Sequence, residues 1–243
     1  MIASPVTMNN ASAYSELTAR TQFILDRAAF LKDVGMTLMD EGQPAADAKI
    51  NVWLNNAYIP LIVRCIKSED ADVRVEALWT VANLLGADNE VVSAATKAAL
   101  TSDLLKSVLD YVFLDSKETM ECAAFLLSNY ARFKDLSYSD AQTIVYAACA
   151  KGIIANGKAA SDLLWAANYA ADKFPATIPL SLVVNTLGDL TLTKEKSRQL
   201  RRLLGNAAEK DGLVHTNLLE SVMSVLTRLL ETTTDRTVRM ELF

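Results

Sequence analysis

Apolar residues recur along this chain at three- and four-residue spacing, in runs divided by short polar breaks. That is the signature of amphipathic helices rather than strands. Runs over 58–66, 91–100, 103–114, 139–154, 177–190 and 213–230 read as helices of this kind. Between them lie four further apolar stretches, 77–85, 123–131, 162–170 and 200–208, which resemble one another and carry an Asn at the same point: Asn83, Asn129, Asn168 and Asn206. The Asn residues are 46, 39 and 38 positions apart. Periods near 40–47 residues are those of stacked helical repeats of the HEAT and armadillo kind. The first interval has room for two helices between the Asn-bearing ones; the later intervals have room for one. The spacing therefore predicts a three-helix unit followed by two-helix units.

Local punctuation agrees. Residues 70–72, Ser116 and Thr193 precede three of the Asn-bearing helices, where unpaired N–H groups need a side-chain oxygen. Gly86 follows the first of these helices and Pro175 the third, both suited to stop one. Residues 15–37 read as an additional helix that caps the first full unit, and residues 1–14, polar and small, as a disordered segment. The organisation expected is a tail over 1–14 and one helical-repeat domain over 15–243. At the other end, 235–243 is the opening of one more helix, whose Val238, Met240, Leu242 and Phe243 should pack on the helix before it as a cap or else seek a partner.

Composition narrows this to an all-α fold. Ala and Leu, both strong helix formers, supply 35 and 34 of the 243 residues, while Gly and Pro number only eight and five. Strands joined by many tight turns need more punctuation. The net charge of −5, with no basic tract, argues against a nucleic-acid partner. No apolar run reaches the length of a membrane span, and no basic and apolar leader opens the chain. Cys65, Cys122 and Cys149 stand far apart, without metal-ligand spacing, and read as reduced core thiols. The expected setting is the cytoplasm, the nucleus or both. His215 is the only histidine, and no phosphate loop, nucleophile elbow or paired metal ligands accompany it. The reading is a protein with no catalytic residues, no metal and no cofactor.

Within the repeats one stretch is more specific. Trp79-Thr80-Val81-Ala82-Asn83, following Val73-Arg74-Val75-Glu76-Ala77, resembles the third helix of an importin-α-type armadillo repeat. The preceding Ala57-Tyr58-Ile59-Pro60-Leu61-Ile62-Val63-Arg64-Cys65-Ile66 resembles that family's second helix. The resemblance extends over roughly 50–210 and implies a right-handed superhelical solenoid of about four to five repeats. It further implies a concave groove lined by third helices, whose Asn amides bond the backbone of an extended peptide beside Trp-walled pockets. Trp79 and Asn83 match both elements. Asn129 matches with Phe125 in the Trp place; Asn168 matches with Leu164 there and Trp165 one position off; Asn206 matches with Arg202 there.

The side chains make chemical sense of such a groove. An Asn amide has a donor end and an acceptor end and can read a peptide backbone whatever its sequence. Seven and eleven positions before the Asn residues, Glu76, Asp72 and Glu118 lie on the same helix face, suited to Lys or Arg of a basic peptide. Plainer readings stand beside these. Acids in a first helical turn also answer the helix dipole, aromatic residues at helical spacing are often core, and a mid-helix Asn can bond a neighbouring loop. Arg198, Arg201 and Arg202 form a basic patch, either a solvated face or a contact for an acidic partner. Two functions are thus expected in turn: a protein- or peptide-binding module without catalysis, or a structural subunit packed permanently in a large assembly.

Overall fold

The computed structural model describes Ala48 and residues 58–114, 116–187, 192–210 and 216–242. The expected disordered tail and capping helix, and His215, lie outside these residues. Every regular element among them is helical. The chain packs as two compact units that divide between Ser107 and Val108. Helices are numbered here from Tyr58.

In the first unit, α1 (Tyr58–Arg64) runs into a 3-10 turn, Cys65–Lys67, and turns Ile59, Ile62, Val63, Cys65 and Ile66 inward. α2 (Ala71–Leu85) begins where Asp70 accepts from the N–H groups of Asp72 and Val73 at 2.9 and 3.2 Å. It ends at Gly86, whose N–H returns to the Ala82 carbonyl. Val73, Ala77, Leu78, Val81, Ala82, Leu84 and Leu85 form its buried side. α3 (Glu90–Ala99) is capped by Asn89 and packs on both α1 and α2 through Val92 and Thr96. α4 (Ser102–Leu114), within which the two units divide, opens with Asp103 paired to Lys67 of the 3-10 turn. The apolar stripe of α4, from Leu104 to Val112, is buried.

The second unit is built around α7. α5 (Lys117–Tyr130), capped by Ser116, lies along one side of α7 (Gly157–Lys173), and α9 (Lys194–Lys210) lies along the other. α6 (Tyr138–Ala147) continues through a π turn, Ala148–Gly152, and packs against α7. Gly152 is required there: a Cβ would stand 2.9 Å from that of Leu163. A 3-10 turn at Pro175–Thr177 then leads to α8 (Leu180–Leu187). The predicted counts hold along the chain: two helices separate α2 from α5, one separates α5 from α7, and one separates α7 from α9.

α10 (Thr216–Thr232) precedes α11 (Arg236–Leu242). α11 buries Val238 and Leu242, as the apolar pattern requires, but rests chiefly on α9 and only secondarily on α10. Met240 stays exposed. The reason is electrostatic as well as apolar, for Arg198 of α9 grips Glu241 of α11 with bonds of 2.8 and 3.2 Å. That pair holds the Glu241 carboxyl below its ordinary range.

Two lysines fasten the repeats of this unit. Lys173, at the end of α7, donates to the carbonyls of Ala131 and Phe133 beyond α5. Lys196, 4 % exposed, donates to the Ile153 carbonyl at 3.0 Å and to Asn156 Oδ1 at 3.3 Å. Burial lowers the pKa of its ammonium. The three cysteines are buried and unbridged, and burial pushes the Cys149 thiol up to about 12.

Candidate functional site

The Asn-bearing helices are α2, α5, α7 and α9, and each turns one face away from the core. On α2, Asp72, Glu76, Trp79 and Asn83 follow one another at helical spacing along a single stripe. Asp72 and Glu76 are exposed, Trp79 is 44 % exposed, and Asn83 is half-buried. Asn83 Nδ2 donates to the Trp79 carbonyl at 2.7 Å, within its own helix. This stripe sets two carboxylates, an indole and an amide within three turns. Carboxylates and an indole face attract a cation, and an amide both donates and accepts.

The second unit uses its Asn residues differently. On α5, Glu118 is exposed and Phe125 half-buried, while Asn129 is only 8 % exposed. Asn168 on α7 has no exposure at all. Its Nδ2 donates to the Leu164 carbonyl at 2.9 Å and, across the seam, to the Gln199 carbonyl at 3.1 Å and Gln199 Oε1 at 3.0 Å. The expectation that Asn168 offers its amide to a ligand is therefore replaced by a tie between α7 and α9. Among the described residues its buried Oδ1 has no hydrogen-bond partner. Asn206 on α9 is half-buried and donates to Asp172 Oδ1 at 2.7 Å.

The cause lies in one step of sequence. In α2 the aromatic residue precedes the Asn by four positions; in α7 Trp165 precedes Asn168 by three. A residue advances about 100° around a helix. With Trp165 and Tyr169 turned outward, Asn168 between them swings toward the core. The outward stripe of α7 thus runs Lys158, Trp165, Tyr169, Asp172, of which the sequence pattern marked none as a ligand contact. Their i, i+4, i+7 spacing from Trp165 was the available signal.

These residues form an ordered cluster. The Trp165 and Tyr169 rings stack with centroids 5.6 Å apart and planes inclined by 26°. The Arg202 guanidinium lies 5.5 Å from the first ring centroid and 5.9 Å from the second. Arg202 also donates to Asp172 Oδ2 at 2.7 Å. One helix earlier, Lys158 Nζ lies 4.6 Å over the Phe125 ring. Near it Asp162 has a raised pKa, mainly from burial, against which Lys158 acts and to which Glu121 adds. Among the described residues no group of three His, Cys, Asp or Glu is placed to hold a metal ion. No helix among them is long and apolar enough to cross a membrane.

The armadillo/beta-catenin-like repeat family matches residues 58–86, which are α1 and α2 with the turns that follow them. No curated protein matches the sequence. A designed armadillo repeat protein in complex with the peptide (KR)4 is similar in structure, with a TM-score of 0.58 and 18% identity, over 80% of this chain and 83% of that one. The fold is that of the armadillo repeat. An engineered protein aligns over 86% of this chain and 92% of its own, at 20% identity and TM-score 0.59. A second designed armadillo repeat protein aligns over 80% and 83% at 16% identity and TM-score 0.55. The match at 58–86 falls on the helix pair bearing the Asp72–Asn83 stripe.

Proposed function

We propose that this armadillo protein is a non-catalytic binding module, and that the α2 stripe takes a basic side chain and the adjoining backbone of an extended peptide. The observation that carries this is the shared outward face of Asp72, Glu76, Trp79 and Asn83 inside the matched repeat. The carboxylates favour a cation, the indole face attracts it, and the amide has the donor and acceptor that a peptide unit needs. A structurally similar designed protein is in complex with (KR)4, a peptide of that chemistry. Glu118 and Phe125 set an acid and an aromatic ring on α5, the ring already under Lys158. Asn129, Asn168 and Asn206 serve mainly the fold in this reading, because two are buried and the third is bonded to Asp172.

The proposal extends to location. Three buried cysteines that form no disulfide suit a reducing compartment, the cytoplasm or the nucleus. The reading of a permanent assembly subunit is favoured by a different observation, the exposure of Tyr146 and Ile154 on the second unit. Binding of a fluorescent Lys-Arg octapeptide to the wild type and to Trp79→Ala and Asn83→Ala, with thermal melts alongside, decides between them. Loss of binding with the fold retained supports the peptide site. A wild type that ignores the peptide and aggregates alone supports the assembly subunit.

A further inference from the structure

The outward aromatic residues of α5 and α7 already carry cations, and the cations come from the chain itself. Lys158 of α7 covers Phe125 of α5, and Arg202 of α9 covers the Trp165–Tyr169 pair of α7. In each case the next Asn-bearing helix supplies the charge for the ring on the one before it. We infer that Arg202 is an internal occupant of a guanidinium site, and that an Arg of a basic partner docks on the second unit by displacing it. The inference rests on the basic-peptide reading above and adds to it a built-in competitor.

Three features give the site its chemistry. Two stacked rings offer a broad face to a planar cation, which suits guanidinium better than ammonium. Asp172 supplies a carboxylate whose one oxygen Arg202 holds and whose other Asn206 holds. Arg202 is 40% exposed at its side chain and Asp172 36%, so the arginine can swing into water without leaving a buried charge behind. The vacated place would present two ring faces and a carboxylate still oriented by Asn206. An incoming Arg restores the contacts that Arg202 gives up, so the net gain from the site is small while Arg202 is present and larger once it is removed. Lys158 over Phe125 repeats the arrangement with an ammonium.

The test uses the full chain and two probes, methylguanidinium at millimolar concentration and the Lys-Arg octapeptide. The Trp165 indole signal is followed by NMR. In Arg202→Ala, methylguanidinium should shift that signal saturably, and the octapeptide should bind about two- to fivefold tighter than to the wild type. The double variant Arg202→Ala/Trp165→Ala should lose the gain in octapeptide affinity. Where the alanine variant does not fold, Arg202→Gln should show the same gain. An Arg202→Ala protein that is folded yet takes methylguanidinium no better than the wild type overturns the inference. If the octapeptide binds the wild type, depends on Trp79 and is indifferent to Arg202, the function stands and this inference falls. If methylguanidinium enters Arg202→Ala while the octapeptide binds neither protein, the guanidinium site stands and the basic-peptide function falls. If neither probe binds either protein, both fall.

Discussion

α2 and α7 carry the same pair of residue types, a Trp and an Asn within one turn, and put them to different use. In α2 Trp79 and Asn83 are four apart and share an outward stripe, the indole 44 % exposed. In α7 Trp165 and Asn168 are three apart, and Asn168 is wholly buried between helices. Rotation by one residue moves an amide from a face that a ligand can reach to a seam where it must satisfy backbone and side-chain acceptors. A motif defined by residue type alone does not separate these cases; the phase of the aromatic neighbour does.

The largest effect should come from breaking the seam. Asn168→Ala strands Gln199 Oε1 in a dry contact and removes the cross-seam bond to the Gln199 carbonyl, which should cost about 1–3 kcal/mol of folding stability. A thermal melt should fall by several degrees. An unchanged melt would erase the distinction between the two helices. Next comes Trp79→Ala, which should lower the melt modestly, since part of the indole is packed, but weaken the Lys-Arg octapeptide roughly five- to thirtyfold by fluorescence anisotropy. A destabilised protein with intact binding would make Trp79 a core residue after all. Asn83→Ala should be milder. Its amide bonds a carbonyl of its own helix, so the fold should hold while affinity drops by up to roughly tenfold.

The smallest expected effect separates the second unit by pH. Burial lowers the Lys196 pKa below its unfolded value of 10.5, so the unfolded chain binds more protons across that interval. The Lys196 contribution to stability should therefore rise as pH climbs from the folded pKa toward 10.5, while the raised Cys149 thiol pulls the other way above pH 9. Chemical denaturation across that window should show a less favourable slope of stability with pH in Lys196→Met than in wild type. Equal slopes in the two proteins would mean that the ammonium is not desolvated by the fold.

Much of the fold was legible because its signals are local. Asp70, Ser116, Gly86 and Pro175 act on neighbours a few positions away, and the interval between Asn residues is enough to count the helices. The α2 stripe was legible for the same reason, since all four members lie on one helix. What escaped was set by pairs distant in sequence. Arg202 meets Trp165 and Asp172 across 37 and 30 positions, and Glu241 meets Arg198 across 43, so neither contact leaves a spacing that periodicity detects. The rotation of Asn168 lay between these extremes: the one-residue offset of Trp165 was visible, but its meaning depended on which face α9 would cover.

Lys173 and Lys196 have a consequence for how the second unit comes apart. Each ammonium reaches out of its own repeat to close carbonyls left open by the repeat before it. Loosening either neighbour would leave a partly buried cation without acceptors and a helix end without donors, penalties that fall on both sides of the junction at once. Chains of stacked repeats ordinarily can fray from a free end, one module at a time. Here the junctions are stitched by charge, which raises the coupling between adjacent modules above the strength of either alone. Unfolding of this unit should accordingly be a single concerted event, with hydrogen exchange in α5, α7 and α9 proceeding at a common rate.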